Sequence, residues 1–212
     1  MKTFEYFCKN INQCNFYYTY YMKTISFRNG QIEDAQQIAQ VIITAMTEEC
    51  CKHFYGENHS LEEFHSLMVR LVSRTDTQYS YKNTICAIDA DKNIAGAIVS
   101  YDGGKLLELR RVFTDSIKEV FGRDFSNMEE ETQAGELYLD SLAVFPEYRG
   151  QGIAKELLKR AHAKAKETGI GISGLLVDCN NPNAERLYRS VGFIQVGEKI
   201  WGGHKMKHLQ MQ

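Results

Sequence analysis

Residues 142–158 read LAVFPEYRGQGIAKELL, and the rest of the chain is best read outward from them. A strand-like apolar run stops at Pro146, one of two prolines in the chain, passes two glycines around Gln151, and turns at once into a helix. The opening N–H groups of a helix have no intrahelical partners, and the helix dipole gathers partial positive charge there. Gly150 and Gly152 let a ligand come close to the backbone, and Arg149 adds a full charge. Together these features describe a cradle for a pyrophosphate. The plainer alternative is a strand-to-helix turn that uses glycine only for its conformation.

Two nucleotide-binding rivals fail on spacing. A dinucleotide fingerprint needs a third glycine three residues after Gly152, where Lys155 stands. A Walker loop needs G-x-x-x-x-G-K-[ST], which does not occur in the chain.

Upstream of the loop, ELYLDSLAVF (136–145) reads as a strand; downstream, GQGIAKELLKRAHAKAKETG is a helix and SGLLVDCN a further strand. NPNAERLYRSVGF is a short helix ending at Gly192, and FIQVGEKIW with HKMKHL forms a closing hairpin. Toward the N-terminus, ISFRNG is a short strand, and DAQQIAQVIITAM places Ile38, Val41, Ile42 and Ala45 at helical spacing. A second helix runs from Ser60 to Ser73, with Ser60 and Glu63 as a capping box. NTICAIDADKNIAGAIVSYD is a hairpin around a polar turn. The resulting order is β-α-α-β-β-β-α-β-α-β-β, with no internal repeat. Lys105–Glu136 interrupts it with a helical run, LLELRRVFTDSIKEVF, and an acidic loop. The default expectation there is a solvated excursion; the functional one is a lid or wall over a pocket.

With 212 residues, 43 % hydrophobic and 25 % charged, the composition is that of an ordinary globular protein. A net charge of −2 gives no reason to expect a nucleic-acid or anionic-membrane partner. No apolar run approaches the ~20 residues that span a bilayer. The start of the chain, MKTFEYFCKNINQCNFYYTYY, lacks the apolar core of a signal peptide. Residues 1–21 are expected to be a poorly ordered extension or an upstream start, and 22–212 the folded domain. The alternative is an aromatic segment packing on the domain or on a second subunit. Cys8, Cys14, Cys50, Cys51, Cys86 and Cys179 form no CxxC pair, which points to reduced thiols and a cytoplasmic setting. Cys50, Cys51 and His53 invite a metal reading, but no second ligand pair stands at zinc spacing, so no metal is expected.

Arg149-Gly-Gln-Gly152-Ile-Ala154 resembles the R/Q-x-x-G-x-G/A signature of the GNAT superfamily of N-acetyltransferases, and LAVFPEY resembles that family's fourth strand and following turn. Asn181-Pro-Asn183-Ala184-Glu-Arg-Leu187-Tyr188-Arg-Ser-Val-Gly192-Phe193 is similar to its second motif, in the family's order and spacing. The strong resemblance covers Leu137–Phe193, and the element order agrees from Thr24 to Leu209. It implies a single α/β domain whose central mixed, mostly antiparallel sheet of about seven strands splays between strands 4 and 5 and is flanked by helices.

It also implies acetyl-CoA, or another acyl-CoA, as donor, and an amine of a small molecule or peptide as acceptor. The amides of Gly150, Gln151, Gly152, Ile153 and Ala154, with Arg149, would hold the pyrophosphate. Leu142, Ala143 and Val144 lie on the strand whose free backbone groups pair with the pantetheine arm, and the Leu142 amide would face the thioester carbonyl. Asn181 and Ala184 match CoA-contacting positions, although Asn181 before Pro182 is also a natural helix cap. Tyr188 matches the usual general acid, with packing on Phe193 as its structural alternative.

Period-two alternation puts Glu136, Tyr138, Asp140 and Leu142 on one face of the strand. Tyr138 and Asp140 match positions where relatives carry a base, but an unshifted aspartate is a weak base at neutral pH. A structural Asp140 is the alternative. At the level of function, a non-catalytic acyl-CoA sensor on the same fold competes with the enzyme. A homodimer stays open, with Trp201 and the aromatic N-terminus as candidates to cover its seam.

Overall fold

The computed structural model describes residues 24–212. The expectations for residues 1–21, including Cys8 and Cys14, lie outside the described residues. Seven strands form one sheet in the order β1-β2-β3-β4-β5-β7-β6. They are β1 (Ser26–Asn29), β2 (Thr84–Ile88), β3 (Ile94–Asp102), β4 (Leu137–Val144), β5 (Ser173–Asp178), β6 (Ile194–Trp201) and β7 (His204–Met211). Every neighbouring pair is antiparallel except β4 and β5, which run parallel. The expected mixed, mostly antiparallel single domain is what forms.

Six α-helices cover the sheet: α1 (Ala35–Met46), α2 (Glu48–Tyr55), α3 (Leu61–Val72), α4 (Leu106–Phe121), α5 (Ile153–Glu167) and α6 (Pro182–Arg189). On one face, Ile38 and Ile42 of α1, Phe64 and Met68 of α3, and Phe113 and Ile117 of α4 pack on Cys86, Ala97 and Val99. On the other, Leu157, Leu158 and Ala161 of α5 pack on Ala87, Ile98, Leu139 and Leu175. A two-sided sheet needs both apolar layers, and the alternating side chains of β2 and β3 supply one to each face. No helix among the described residues is long and apolar enough to cross a membrane.

Three sequence expectations are corrected here. The helix Glu48–Tyr55 was not expected as a separate element. Thr47, at φ 69°, turns the chain sharply after α1, and its hydroxyl caps α2 by accepting from the Cys50 amide (3.4 Å). Ala45 leaves the core stripe of α1 and is only half-buried. The Lys105–Glu136 excursion is not a solvated one. Phe113 and Ile117 are 0 % exposed, and Arg110 of α4 holds the returning loop by a buried ion pair with Glu131 and hydrogen bonds to the carbonyls of Met128 (3.0 Å) and Glu129 (2.9 Å).

The capping box at Ser60 forms as read: Ser60 Oγ accepts from the Glu63 amide (3.2 Å), and the Glu63 carboxylate accepts from the Ser60 amide (2.8 Å). The closing hairpin turns through Gly202 and Gly203, both at positive φ (58° and 78°), as a tight two-residue turn between twisted strands requires.

Candidate active site

Only Leu137↔Ser173 and Tyr138↔Gly174 pair β4 with β5. Beyond Tyr138 the two strands part, and the outer edge of β4 from Leu139 onward faces a cleft. The closed end of this V is pinned by Glu136. Its carboxylate accepts from Thr132 Oγ1 (2.7 Å) and Gln210 Nε2 (2.7 Å) and meets His208 Nε2 (2.8 Å). Gly174 makes room for it, because a Cβ there would overlap the Glu136 carboxyl group. Burial pushes the Glu136 pKa up, but the hydrogen bonds from His208, Thr132 and Gln210 outweigh it and hold it below the ordinary glutamate value.

Asp140 then breaks the strand's rhythm. Val99 pairs with Ser141 and Ser100 with Leu139, so Asp140 is an extra residue with no partner on β3, a β-bulge. Before the bulge, the Leu137 amide donates toward β5, to Ile172 O (2.8 Å). After it, the Phe145 amide donates toward β3, to Ala95 O (2.9 Å). Strand backbone groups alternate sides, so the amides of Leu142 and Val144 point away from β3, into the cleft. Without the bulge, those of Ser141 and Ala143 would do so instead.

The bulge also corrects the expected common face for Glu136, Tyr138, Asp140 and Leu142. Leu142 and Val144 pack with the α5-side cluster, alongside Leu137 and Leu139. Tyr138 lies on the other side, against Tyr101 and Leu106. Asp140 and Ser141 join Tyr138 in lining a cavity of about 200 Å³. Its walls come from α1 and α2 (Met46, Cys50, Phe54), the loop before β2 (Gln78, Tyr79), the excursion (Met128, Glu131), β5 (Leu176) and the last hairpin (Trp201, Met206). Trp201, named above as a candidate for a dimer seam, lines this cavity. A larger hollow of about 500 Å³ lies by Ser26, Arg28, Asp89 and Lys92 at the β1 edge; it shares no lining residue with the cleft.

Asp140 is half-open through this cavity, yet protein surrounds its carboxyl. Burial pushes its pKa up to about 6, partly offset by the Ser141 hydroxyl (2.8 Å), the Arg110 charge and the Tyr101 hydroxyl. An aspartate so placed can take up a proton near neutral pH. Tyr79, Tyr101 and Tyr138 are raised well above ordinary phenols by burial and then by Asp140, so they stay protonated. Cys50 is pushed up to about 11 by burial and then by Asp140, which leaves no thiolate at neutral pH.

At the open end of the V, Gly150 and Gly152 both sit at φ 77°, and a Cβ on either would meet nothing within 4 Å. Gly152 caps α5 without any side-chain acceptor, and the first helical hydrogen bond runs from Glu156 N to Gly152 O (3.1 Å). The backbone from Gly150 to Ala154 is therefore open to approach at the start of a helix whose first amides have no intrahelical acceptor. Arg149 is held beside it by donating from Nε to Val144 O (3.0 Å), and Gln151 is half-buried next to it. Tyr148 anchors the turn from below by a hydrogen bond to Asp89 (2.6 Å).

On the far side of the cleft stands α6. Asn181 Oδ1 caps it by accepting from Ala184 N (3.1 Å), so the capping reading of Asn181 is realised. No residue of α6 is fully buried; Glu185 ties the helix to β7 through Lys207 (2.7 Å). Tyr188 rests edge-to-face on Phe193 (centroids 6.1 Å apart), and burial raises its phenol pKa. Ala184, Leu187 and Tyr188 pack against the same cluster as Leu142 and Val144.

The sequence reading missed Tyr101, Arg110 and Glu131, as well as Gln78 and Tyr79. The acidic run that contains Glu131 was visible, but nothing local marks which of its carboxylates turns inward. Among the described residues no group of three or more His, Cys, Asp or Glu side chains could hold a metal ion; Cys50, Cys51, Cys86 and Cys179 are free thiols.

Residues 48–193 match the profile of the Acetyltransferase (GNAT) family. Acetyltransferase Atu2258 of Agrobacterium fabrum is 32 % identical over 110 residues, covering 51 % of this chain and 79 % of that protein. A ribosomal protein bS18-alanine N-acetyltransferase of Haemophilus ducreyi is 34 % identical over 101 residues, covering 48 % and 65 %. Among solved structures, one described as an acetyltransferase superposes with a TM-score of 0.69 at 28 % identity, over 88 % of this chain and 98 % of that one. An N-acetyltransferase from Staphylococcus aureus Mu50 shares the fold with a TM-score of 0.72 at 22 % identity, over 88 % and 100 %.

Proposed function

The chain belongs to the acetyltransferase (GNAT) family and is an acyltransferase, and we propose that it moves an acetyl group directly from acetyl-CoA to a primary amine of a small molecule or peptide. The non-catalytic sensor is set aside on the same ground. The observation that carries the reading is the bulge at Asp140, which turns the Leu142 amide into the cleft and the Asp140 carboxyl into the cavity on the opposite side. Bound acetyl-CoA supplies the activated thioester; the remaining steps belong to this chain's residues.

The amides of Gly150, Gln151, Gly152, Ile153 and Ala154, with the Arg149 guanidinium, neutralise the pyrophosphate. The edge groups of Leu142 and Val144, flanking Ala143, pair with the extended pantetheine arm as an added strand would. Asn181 and Ala184 border the same arm from α6. Asp140 takes a proton from the entering ammonium, and the freed amine nitrogen attacks the carbonyl carbon. The Leu142 N–H stabilises the negative charge that develops on the carbonyl oxygen. As the C–N bond forms and the C–S bond breaks, Tyr188 gives its phenolic proton to the departing sulfur; the surplus proton on the attacking nitrogen restores the phenol, and Asp140 returns its proton to solvent. Tyr138, protonated and next to Asp140, shapes the floor on which the amine rests.

Release of CoA over an amine panel tests the activity, and Tyr188→Phe tests the assignment. That substitution keeps the ring on Phe193 and removes only the hydroxyl. Turnover should fall about 10²-fold or more while calorimetric acetyl-CoA affinity is kept. Wild-type turnover in Tyr188→Phe would assign the proton to another donor.

A further inference from the structure

The cavity beside Asp140 lies over the mouth of the V. The last pair joining β4 to β5 is Tyr138 and Gly174; Asp140 and Leu176 stand two residues beyond them, and both line the cavity. An amine held there sits at the split between the two strands. What the cavity offers it depends on which parts of the wall are accessible. Gln78, Tyr79, Glu131, Tyr138 and Ser141 are only 1–6 % exposed. Gln78 Oε1, Arg110 Nε and Trp201 Nε1 have no hydrogen-bond partner among the described residues, but less than 1 Å² of each is accessible, so they are sealed from a ligand. The wall that keeps accessible surface is chiefly apolar around one carboxyl: Met46, Met128, Leu176, Met206 and Trp201, with Asp140 among them, are all half-buried.

The charges in this space leave one acid to answer. Glu131, the other acid of the wall, is matched by the buried Arg110 and accepts from the Tyr101 hydroxyl (3.1 Å). Asp140 has no ion pair among the described residues and accepts from the Ser141 hydroxyl (2.8 Å). One ammonium therefore meets a carboxylate, whereas a second would be buried without one. A polar group placed against the methionines and Leu176 gives up water and gains no partner. Methionine side chains, unbranched and polarizable, adapt to the shape of a hydrocarbon instead. The volume, about 200 Å³, is below the ~300–1,000 Å³ of pockets for drug-sized ligands. It suits a short chain better than peptide units, whose N–H and C=O groups need partners of their own.

We propose that the acetyl acceptor is a small monoamine with an apolar body, of the alkylamine class, with its ammonium on Asp140 and its hydrocarbon among Met46, Met128, Leu176 and Met206. This inference rests on the acetyl-transfer reading above and deepens it. The methionines and Leu176 become specificity-determining residues of the acceptor pocket.

Three amines of equal length separate the possibilities, because they differ only at the far end: n-pentylamine ends in a methyl, 4-aminobutanol in a hydroxyl and putrescine in a second ammonium. n-Pentylamine should exceed 4-aminobutanol in kcat/KM by about tenfold or more, and putrescine by more still, since an apolar pocket rejects what it cannot solvate. Met206→Glu adds the second carboxylate that the wall lacks, and should raise the putrescine-to-pentylamine ratio about tenfold or more. Met46→Ala makes room, and should raise the ratio of n-octylamine to n-pentylamine; a merely structural role would lower both alike. The melting-temperature rise with acetyl-CoA reports that each variant is folded, and the wild-type ratios decide without them. Putrescine or 4-aminobutanol matching n-pentylamine would overturn the inference. So would Leu-Gly-Gly-amide exceeding it, which would assign a peptide N-terminus. Calorimetry of the same amines in the presence of CoA keeps the two readings apart. A pentylamine preference in binding without any turnover sinks acetyl transfer and supports the pocket; turnover without preference does the reverse.

Discussion

Asp140 is held against its own chemistry. Burial lifts its pKa to about 6 from the ordinary aspartate value of 3.8, so between those values the folded protein binds a proton that the unfolded chain has lost. Stability attributable to this group is highest below the unfolded value, falls as pH rises through the folded one, and stays lowered above it. Asp140→Asn removes that cost. It should therefore stabilise the protein relative to wild type at pH 8 by an amount on the order of 1–3 kcal/mol, seen as a higher melting temperature, with the gain shrinking toward pH 4. The same variant should lose about 10²-fold or more in kcat and lose the rising limb of the pH–rate profile near pH 6. Thermal melts and pH–rate curves check both halves. A variant less stable than wild type at pH 8 would identify Asp140 as a structural anchor rather than a strained base. The aspartate was visible in the sequence, but its basicity was not, because Tyr101, Tyr138 and Arg110, which set it, come from distant parts of the chain.

At the level of elements, β4 is two half-strands joined by one extra residue. The first half pairs with β5; the second pairs only with β3 and offers its other edge to the cleft. This difference can be probed with proline, which lacks an N–H and is tolerated only where the ladder does not need one. Leu142→Pro should fold, because its amide faces the cleft, and should lose about 10²–10³-fold in kcat, the range for removal of one oxyanion donor. Ala143→Pro, one residue on, deletes an N–H that faces β3 and should lower the melting temperature markedly. Circular dichroism and CoA-release kinetics on the pair check the assignment. Equal destabilisation by both would mean that the Leu142 amide belongs to the ladder.

Across the whole molecule, the V-shaped cleft depends on being closed at one end. Glu136 performs this closure by joining Thr132 of the excursion to His208 and Gln210 of β7. Its pKa is held below the ordinary glutamate value of 4.5, so it contributes stability above the unfolded value, and this is lost as pH falls through the folded one. Glu136→Gln should destabilise the protein by about 1–3 kcal/mol at pH 7.5, since it replaces an oxygen acceptor with an amide donor among donors. That deficit should shrink as pH falls below about 4.5, where the unfolded chain takes up the proton first and folded Glu136 follows at lower pH. An undiminished deficit in melts at low pH would assign the effect to packing. CoA affinity should weaken as well, because the strands that bound the cleft lose their common anchor.

What could be read from residues in order is everything with local physics. The strand-to-helix turn at Gly150–Gly152, the caps at Ser60 and Asn181 and the closing hairpin all follow from rules acting over a few residues, and they appear where the sequence puts them. The bulge at Asp140 could not be read this way. Period two holds along a strand until its partner shifts register, and the partner β3 lies about 40 residues upstream. The excursion likewise looked solvated, because Arg110 and Glu131 are ordinary surface residues until a fold brings them together out of water. The cavity beside Asp140 is the extreme case: its walls come from helices, loops and a hairpin far apart in the chain, and Gln78 and Trp201 have no local pattern at all. Backbone conformation is set by neighbours in sequence, whereas the protonation, pairing and burial of a side chain are set by neighbours in space.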